Sequence, residues 1–424
     1  MSGRTLIRGG RLVCPGAGLD FVGTLGVEDG RISQCVPGLI EACAGDTVVD
    51  ATDCVVAPGL IDLHAHLCEP GEEQKEDLET AGRAALRGGF TTVLTSSGTT
   101  PAADTRAVVE LIARRAAQVS GCRVLVMGAL TVGREGRRLA EMFDLRAAGA
   151  VALGDGDRCV ADAGLLRRAM EYARAVDLPV FEHPEDAALA AHGVMHEGPV
   201  ATRLGLNGIP AVAEEIAVAR DVALCALTGA RLHLGPLSSA AAIDIVRRAK
   251  AAGLPVTCAV TAAHLVLTDE AVAQSYSPNL RSRPPFRSER DRAALLAGVA
   301  DGTVDAIASG HRPQSPVEKD VEFDLAEPGL IGLEVTLGLV LRLVESGALA
   351  LPRALAVLTT GPAAVLGLEP PRLHVGAVAD LVVFEGRGRR IEASTLESRS
   401  RNSPFLGQVL PGNVCHVFVA GEHL

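Results

Sequence analysis

The chain has 424 residues, 48% of them hydrophobic and 21% charged, with a formal net charge of −11. That apolar share supplies a large core and argues against disorder, and the length suits an α/β barrel better than one ordinary domain. The acidic balance excludes the basic stripe of a nucleic-acid surface, and with aromatics at 3% and no Trp there is little on which bases could stack.

Ten scattered cysteines without a C-x-x-C pair, and an N-terminus lacking an apolar h-region, predict reduced thiols in a cytoplasmic protein. The most apolar late stretch, residues 330–343, is interrupted by Glu334 and Arg342, so no membrane span is expected.

Residues 1–54 read as short strands, with Asp29-Gly30 as a hairpin signal. From residue 55 strands alternate with helices, which predicts a parallel sheet. Strand patterns fall at 55–66, 90–94, 123–127, 150–153, 179–183, 231–234, 255–260 and 305–309. Helical patterns fall between them, at 73–88, 103–119, 162–176, 211–228, 243–252 and 288–299. Eight strand patterns alternating with helices predict a (β/α)8 TIM barrel. Residues 330–368 read as helices broken at Pro352 and Pro362, and 379–384 and 415–419 return to strand patterns. We therefore expect a barrel over 55–368 and a small composite β-sandwich domain built from 1–54 and 369–424.

The stretch Val55 to His66 organises the rest. An apolar run closed by Pro58-Gly59 leads into Leu60-Ile61-Asp62-Leu63-His64-Ala65-His66. Strand positions i and i+2 share a side, so His64 and His66 can converge on one ion at the barrel end where active sites lie. For an arbitrary His-x-His, a pair without metal is the commoner case.

Over essentially its whole length the chain resembles the dihydroorotases among the cyclic amidohydrolases. The residues that carry the likeness are Pro58 to Leu67, Glu69-Pro70-Gly71, Lys75-Glu76-Asp77 and Gly88-Gly89-Phe90-Thr91-Thr92-Val93. Further on stand Glu182-His183-Pro184-Glu185-Asp186, Pro284-Pro285-Phe286-Arg287, Asp301-Gly302 and Asn402-Ser403-Pro404-Phe405-Leu406-Gly407. The resemblance implies a zinc hydrolase in which histidines and a bridging aspartate hold metal and a last aspartate moves the proton. Carried over residue by residue, it leaves His64, His66 and His183 as retained metal ligands. The other ligand positions fall on Gly156 and Pro236, and the acid–base aspartate falls on Gly310. The substrate-holding arginine, asparagines and histidine fall on Cys68, Gly98, Arg283 and Gln314.

The resemblance, with these losses, implies a non-catalytic dihydroorotase homologue, a structural partner of aspartate carbamoyltransferase in pyrimidine biosynthesis and itself a homo-oligomer. No catalytic residue, no tightly bound cofactor and at most one zinc, on His64, His66 and His183, are expected. The alternative is a zinc-dependent cyclic amidohydrolase of altered substrate, with Asp155 or Asp157 as local candidates for the base. A fully active dihydroorotase is opposed by Gly310 and Cys68. His233, His264 and His311 are expected to be packed or hydrogen-bonded, and Glu214-Glu215 and Arg247-Arg248 to be solvated helix faces. Arg283 or Arg312, with Arg281 nearby, is expected to pair with Asp155, Asp157 or Glu69 inside the old pocket; otherwise they face solvent or a partner chain.

Overall fold

The computed structural model describes residues 3–119 and 121–424. Eight parallel strands, Leu60–Ala65, Phe90–Thr95, Arg123–Gly128, Ala150–Gly154, Val180–Glu182, Leu232–Leu234, Val256–Thr261 and Ala306–Ala308, neighbour one another in chain order. A parallel bridge between Ala65 and His311 joins the last strand's exit to the first strand, with His66 N–H donating to His311 O at 2.8 Å. This is the expected (β/α)8 barrel. Its strands are buried on both faces, as in Phe90–Thr95, where every residue is covered; helices outside and side chains inside leave no wet face. Ile61, Leu63, Leu94, Met127 and Phe181 fill the interior together with Val365 and Leu366 of the helix Thr360–Leu366.

A second, continuous eight-stranded sheet gathers Thr5–Cys14, Leu19–Glu28, Arg31–Pro37, Thr47–Asp50 and Cys54–Pro58 with Leu381–Glu385, Asn413–Val419 and Glu422–His423. Asp29 and Gly30 make the predicted hairpin turn, both at positive φ (48° and 78°). The boundary lies later than residue 54. Cys54–Pro58 pairs in this sheet with Leu381–Glu385 and Thr5–Cys14, and Gly59 separates it from the first barrel strand. Nor does 369–424 stay in one place: Ile391, Leu396, Phe405 and Leu410 belong to the core between barrel and helices.

Two helix predictions need correction. The first barrel helix runs Leu78–Arg87, not from Glu73, because Asp77 adopts an extended backbone and caps it, accepting from Thr80 N–H at 2.8 Å. Pro352 and Pro362 do not break helices; they sit in the opening turns of Leu351–Ala356 and Thr360–Leu366, where no amide donor is needed. Among the described residues no helix is long and apolar enough to cross a membrane.

Candidate functional site

The carboxyl ends of the barrel strands enclose a cavity of about 430 Å³, and His64, His66 and His183 all line it. The rings do not act together. His64 Nε2 lies 3.1 Å from His233 Nε2, while His66 Nε2 lies 3.0 Å from Glu72 Oε2. The first strand ends at Ala65, one residue before His66, so the strict same-face geometry of a strand no longer holds for the pair. His183 Nε2 is buried without a partner. The three nitrogens do not form a set of donors within 4.8 Å; among the described residues the set of three that does is His66, Cys68 and Glu72. His64, His66 and His183 thus line one cavity without their donor nitrogens all lying within 4.8 Å of one another.

Burial disfavours the charged form of each histidine. Burial, with His183 nearby, pushes His64 down to about 3. Burial likewise lowers His66 and His183, against the opposing pull of Glu72 on the first and Glu185 on the second. His66, through its hydrogen bond, holds Glu72 down at about 2, with Lys75 Nζ on the other carboxylate oxygen at 2.8 Å.

The remaining family ligand positions hold no donor. Gly156, Pro236 and Gly310 line the cavity as glycine, proline and glycine. At Gly310 the backbone has φ +60°, and a Cβ would meet Thr261 Cγ2 at 2.8 Å. Beside Gly156 stands a side chain the sequence did not advertise, Arg134. A Cβ at Gly98 would lie 2.7 Å from Arg134 Nη1, and one at Gly156 would lie 3.1 Å from Nη2. The guanidinium therefore takes the space beside Gly98, and beside Gly156 it shares the space with Ser96 Oγ, which a Cβ there would meet first, at 2.5 Å. Its Nε donates to Asp155 O at 2.9 Å and its Nη2 to Asp157. From the opposite side Arg312 Nη1 reaches Asp157 Oδ2 at 2.7 Å, one of the pairings expected from sequence. Partial burial alone would raise Asp157, but Arg312 and Arg134 hold its carboxyl well below the usual carboxylate range. Two cations on one carboxylate now occupy a face where a metal pair would sit. The residues present do not fit a two-metal centre.

A sequence model described as Dihydro-orotase-like matches residues 53–241. The chain is 47% identical to the dihydroorotase of Anaeromyxobacter dehalogenans (strain 2CP-C) over 424 residues, 100% of this chain and 98% of the relative. It belongs to the dihydroorotase family. The dihydroorotase of Citrifermentans bemidjiense is 44% identical over 418 residues, 98% of each chain. Among solved structures the L-hydantoinase of Arthrobacter aurescens superposes with a TM-score of 0.87 at 22% identity, covering 99% of this chain and 96% of that one. A D-hydantoinase from Thermus sp. gives 0.84 at 24% identity, covering 99% and 94%. At that identity the likeness speaks for the fold.

Within this family member the positions carried over for substrate are scattered. Cys68 is buried behind the cavity wall, its Sγ 3.8 Å from His66 O, and burial pushes its thiol well up. Gln314 is buried too, donating to Pro328 O at 3.0 Å. Arg283 lines the cavity but its Nε donates to Glu185 Oε1 at 2.8 Å, not to the carboxylates named for it. Glu69 faces Arg115 at 3.1 Å, and Asp155 is tied to Thr131 N–H at 3.0 Å. Arg281 donates to backbone carbonyls, Phe323 O at 3.4 Å among them.

The other histidines are partnered as expected. His233 Nδ1 meets Thr257 Oγ1 at 2.9 Å. His264 Nε2 donates to Pro284 O at 3.1 Å, so its Nδ1 accepts from Thr261 Oγ1 at 2.7 Å; burial pushes this ring down to about 4. His311 Nδ1 accepts from Gly332 N–H at 3.2 Å. Glu214 corrects another expectation. It is buried, not solvated, and accepts from Ser238 N–H and Ser239 N–H (2.8 Å for the latter). Arg134 and Glu72 are what sequence reasoning missed. The one signal for Arg134 was negative: Gly98 and Gly156 both empty where the family carries side chains.

Proposed function

We propose that this chain is a dihydroorotase homologue without dihydroorotase turnover, acting in the cytoplasm as a homo-oligomeric assembly subunit for aspartate carbamoyltransferase. The observation that carries the loss of turnover is the Arg134–Asp157–Arg312 cluster, which closes the space beside Gly98 and Gly156 with charge. Gly310, where the acid–base aspartate falls, supports the same reading. The transferase is named by family analogy, since a retained fold without its chemistry suits a scaffold.

A zinc-dependent cyclic amidohydrolase is the second reading. It is favoured by the relatives being named dihydroorotases and by the buried, unpartnered His183 Nε2 in the cavity wall. Purified protein supplied with zinc and assayed in both directions separates the two. We expect no rate above buffer; saturable turnover lost on His64→Ala establishes the second reading instead. The scaffold role is checked by size-exclusion of the transferase, whose elution should shift to a larger, stable assembly when this chain is added. An unchanged profile rejects that role.

A further inference from the structure

Three residues past the first barrel strand the chain turns sharply. Cys68 has φ +63°, and Glu72 N–H donates to Cys68 O at 2.9 Å. That turn folds the segment back on itself, so an imidazole, a thiol and a carboxylate from within seven residues of sequence face one another. A ring nitrogen of His66, Cys68 Sγ and a Glu72 carboxylate oxygen all lie within 4.8 Å of one another. We infer that His66, Cys68 and Glu72 form a mononuclear zinc site, two of whose ligands, Cys68 and Glu72, lie outside the metal positions carried over from the family. This goes beyond the scaffold reading and does not depend on it.

The chemistry of the donors selects the ion. Thiolate, imidazole and carboxylate are all zinc ligands, with bonds of about 2.0–2.3 Å. Tetrahedral angles at those lengths put neighbouring donors a little over 3 Å apart, as an order-of-magnitude guide. His66 Nε2 and Glu72 Oε2 are already 3.0 Å apart, so a side-chain adjustment on the order of 1 Å completes the set. Lys75 Nζ holds the other oxygen of Glu72 at 2.8 Å and is itself 3.6 Å from Glu318 Oε1. This is the outer support that orients a ligating carboxylate. Charge closes as well. A thiolate and a carboxylate balance one divalent ion, and Lys75 is balanced by Glu318. Cys68 and Glu72 are not among the metal positions carried over from the family, His66 being the one shared with them, and His66 and Glu72 both line the cavity. Binding releases the thiol proton to solvent and forms the zinc–sulfur bond, with no change of oxidation state.

The test uses the full chain, stripped by chelator and titrated with Co²⁺, then Zn²⁺. One Co²⁺ per chain should bind with a near-ultraviolet thiolate-to-cobalt charge-transfer band, and one equivalent of Zn²⁺ should bleach it. Cys68→Ser should abolish the band, and both Cys68→Ser and Glu72→Gln should weaken Zn²⁺ binding at least tenfold. His183→Ala should leave both readings unchanged. Circular dichroism confirms folding of each variant; if Cys68→Ser does not fold, the Glu72→Gln affinity decides. No stoichiometric binding, a cobalt spectrum without the sulfur band, or binding lost with His183→Ala but kept in Glu72→Gln overturns the inference.

Discussion

Gly310, where the resemblance puts the acid–base aspartate, is constrained at the level of one residue. Its φ of +60° lies in the left-handed region, and a Cβ there would press on Thr261 Cγ2 at 2.8 Å. A non-glycine residue so placed costs about 1–3 kcal/mol. Restoring the family's aspartate by Gly310→Asp should therefore lower stability by that order, read as a fall in the urea midpoint, and should not restore turnover. An unchanged midpoint accompanied by hydrolysis of dihydroorotate would show the backbone to be ready for the acid. The same logic holds across the cavity. Gly98 and Gly156 were not simply emptied, because the Arg134 guanidinium takes up space beside both and is fixed by Asp155 O and Asp157. Reversal one residue at a time meets that arginine each time.

Among elements, the segment after the last helices matters more than its irregular backbone suggests. Two buried carboxylates receive it, Glu76 just before the helix Leu78–Arg87 and Glu334 on the helix Leu333–Glu345. Glu76 accepts from Arg399 N–H at 2.9 Å, and Glu334 accepts from Glu397 N–H and Ser398 N–H at 3.0 and 3.1 Å. Asn402 then spans the loop after the eighth barrel strand. Its amide donates to Arg312 O at 3.0 Å and Gly329 O at 3.1 Å, and its oxygen accepts from Gln314 N–H at 3.2 Å. Asn402→Ala strands three buried backbone groups, each worth roughly 1 kcal/mol or more when unsatisfied. We expect a loss of about 2–4 kcal/mol in urea unfolding. It should also loosen Arg312, whose carbonyl Asn402 holds, so hydrogen exchange around residues 312–315 should rise. No change in either would mean the tail merely rests on the barrel.

At the scale of the molecule, the two ends of the chain complete one sheet and brace one barrel. Leu381–Glu385 lies between Cys54–Pro58 and Asn413–Val419, so the N-terminal strands lack an edge partner without the C-terminal ones. Phe405 and Leu410 are buried against the barrel. A chain ending at Leu368 should accordingly lose its cooperative unfolding transition and aggregate through the exposed strand edge. A soluble fragment with a single sharp transition would show that the barrel stands alone.

Periodicity was enough for the barrel. Alternating strand and helix patterns are local, and each β/α unit buries its own apolar face against the next. The Asp29-Gly30 turn was legible for the same reason, since two positive-φ residues in a row favour that dipeptide. That Gly156, Pro236 and Gly310 carry no side-chain donor atom could also be read directly, and the cavity wall holds all three. Direction is what the sequence left open. That His64 would face His233, that His66 would face Glu72, and that Arg134 would reach Asp157 from twenty-three residues away depend on where loops from different strands meet. Those meetings are set by the packing of the whole barrel mouth, and no spacing along the chain encodes them.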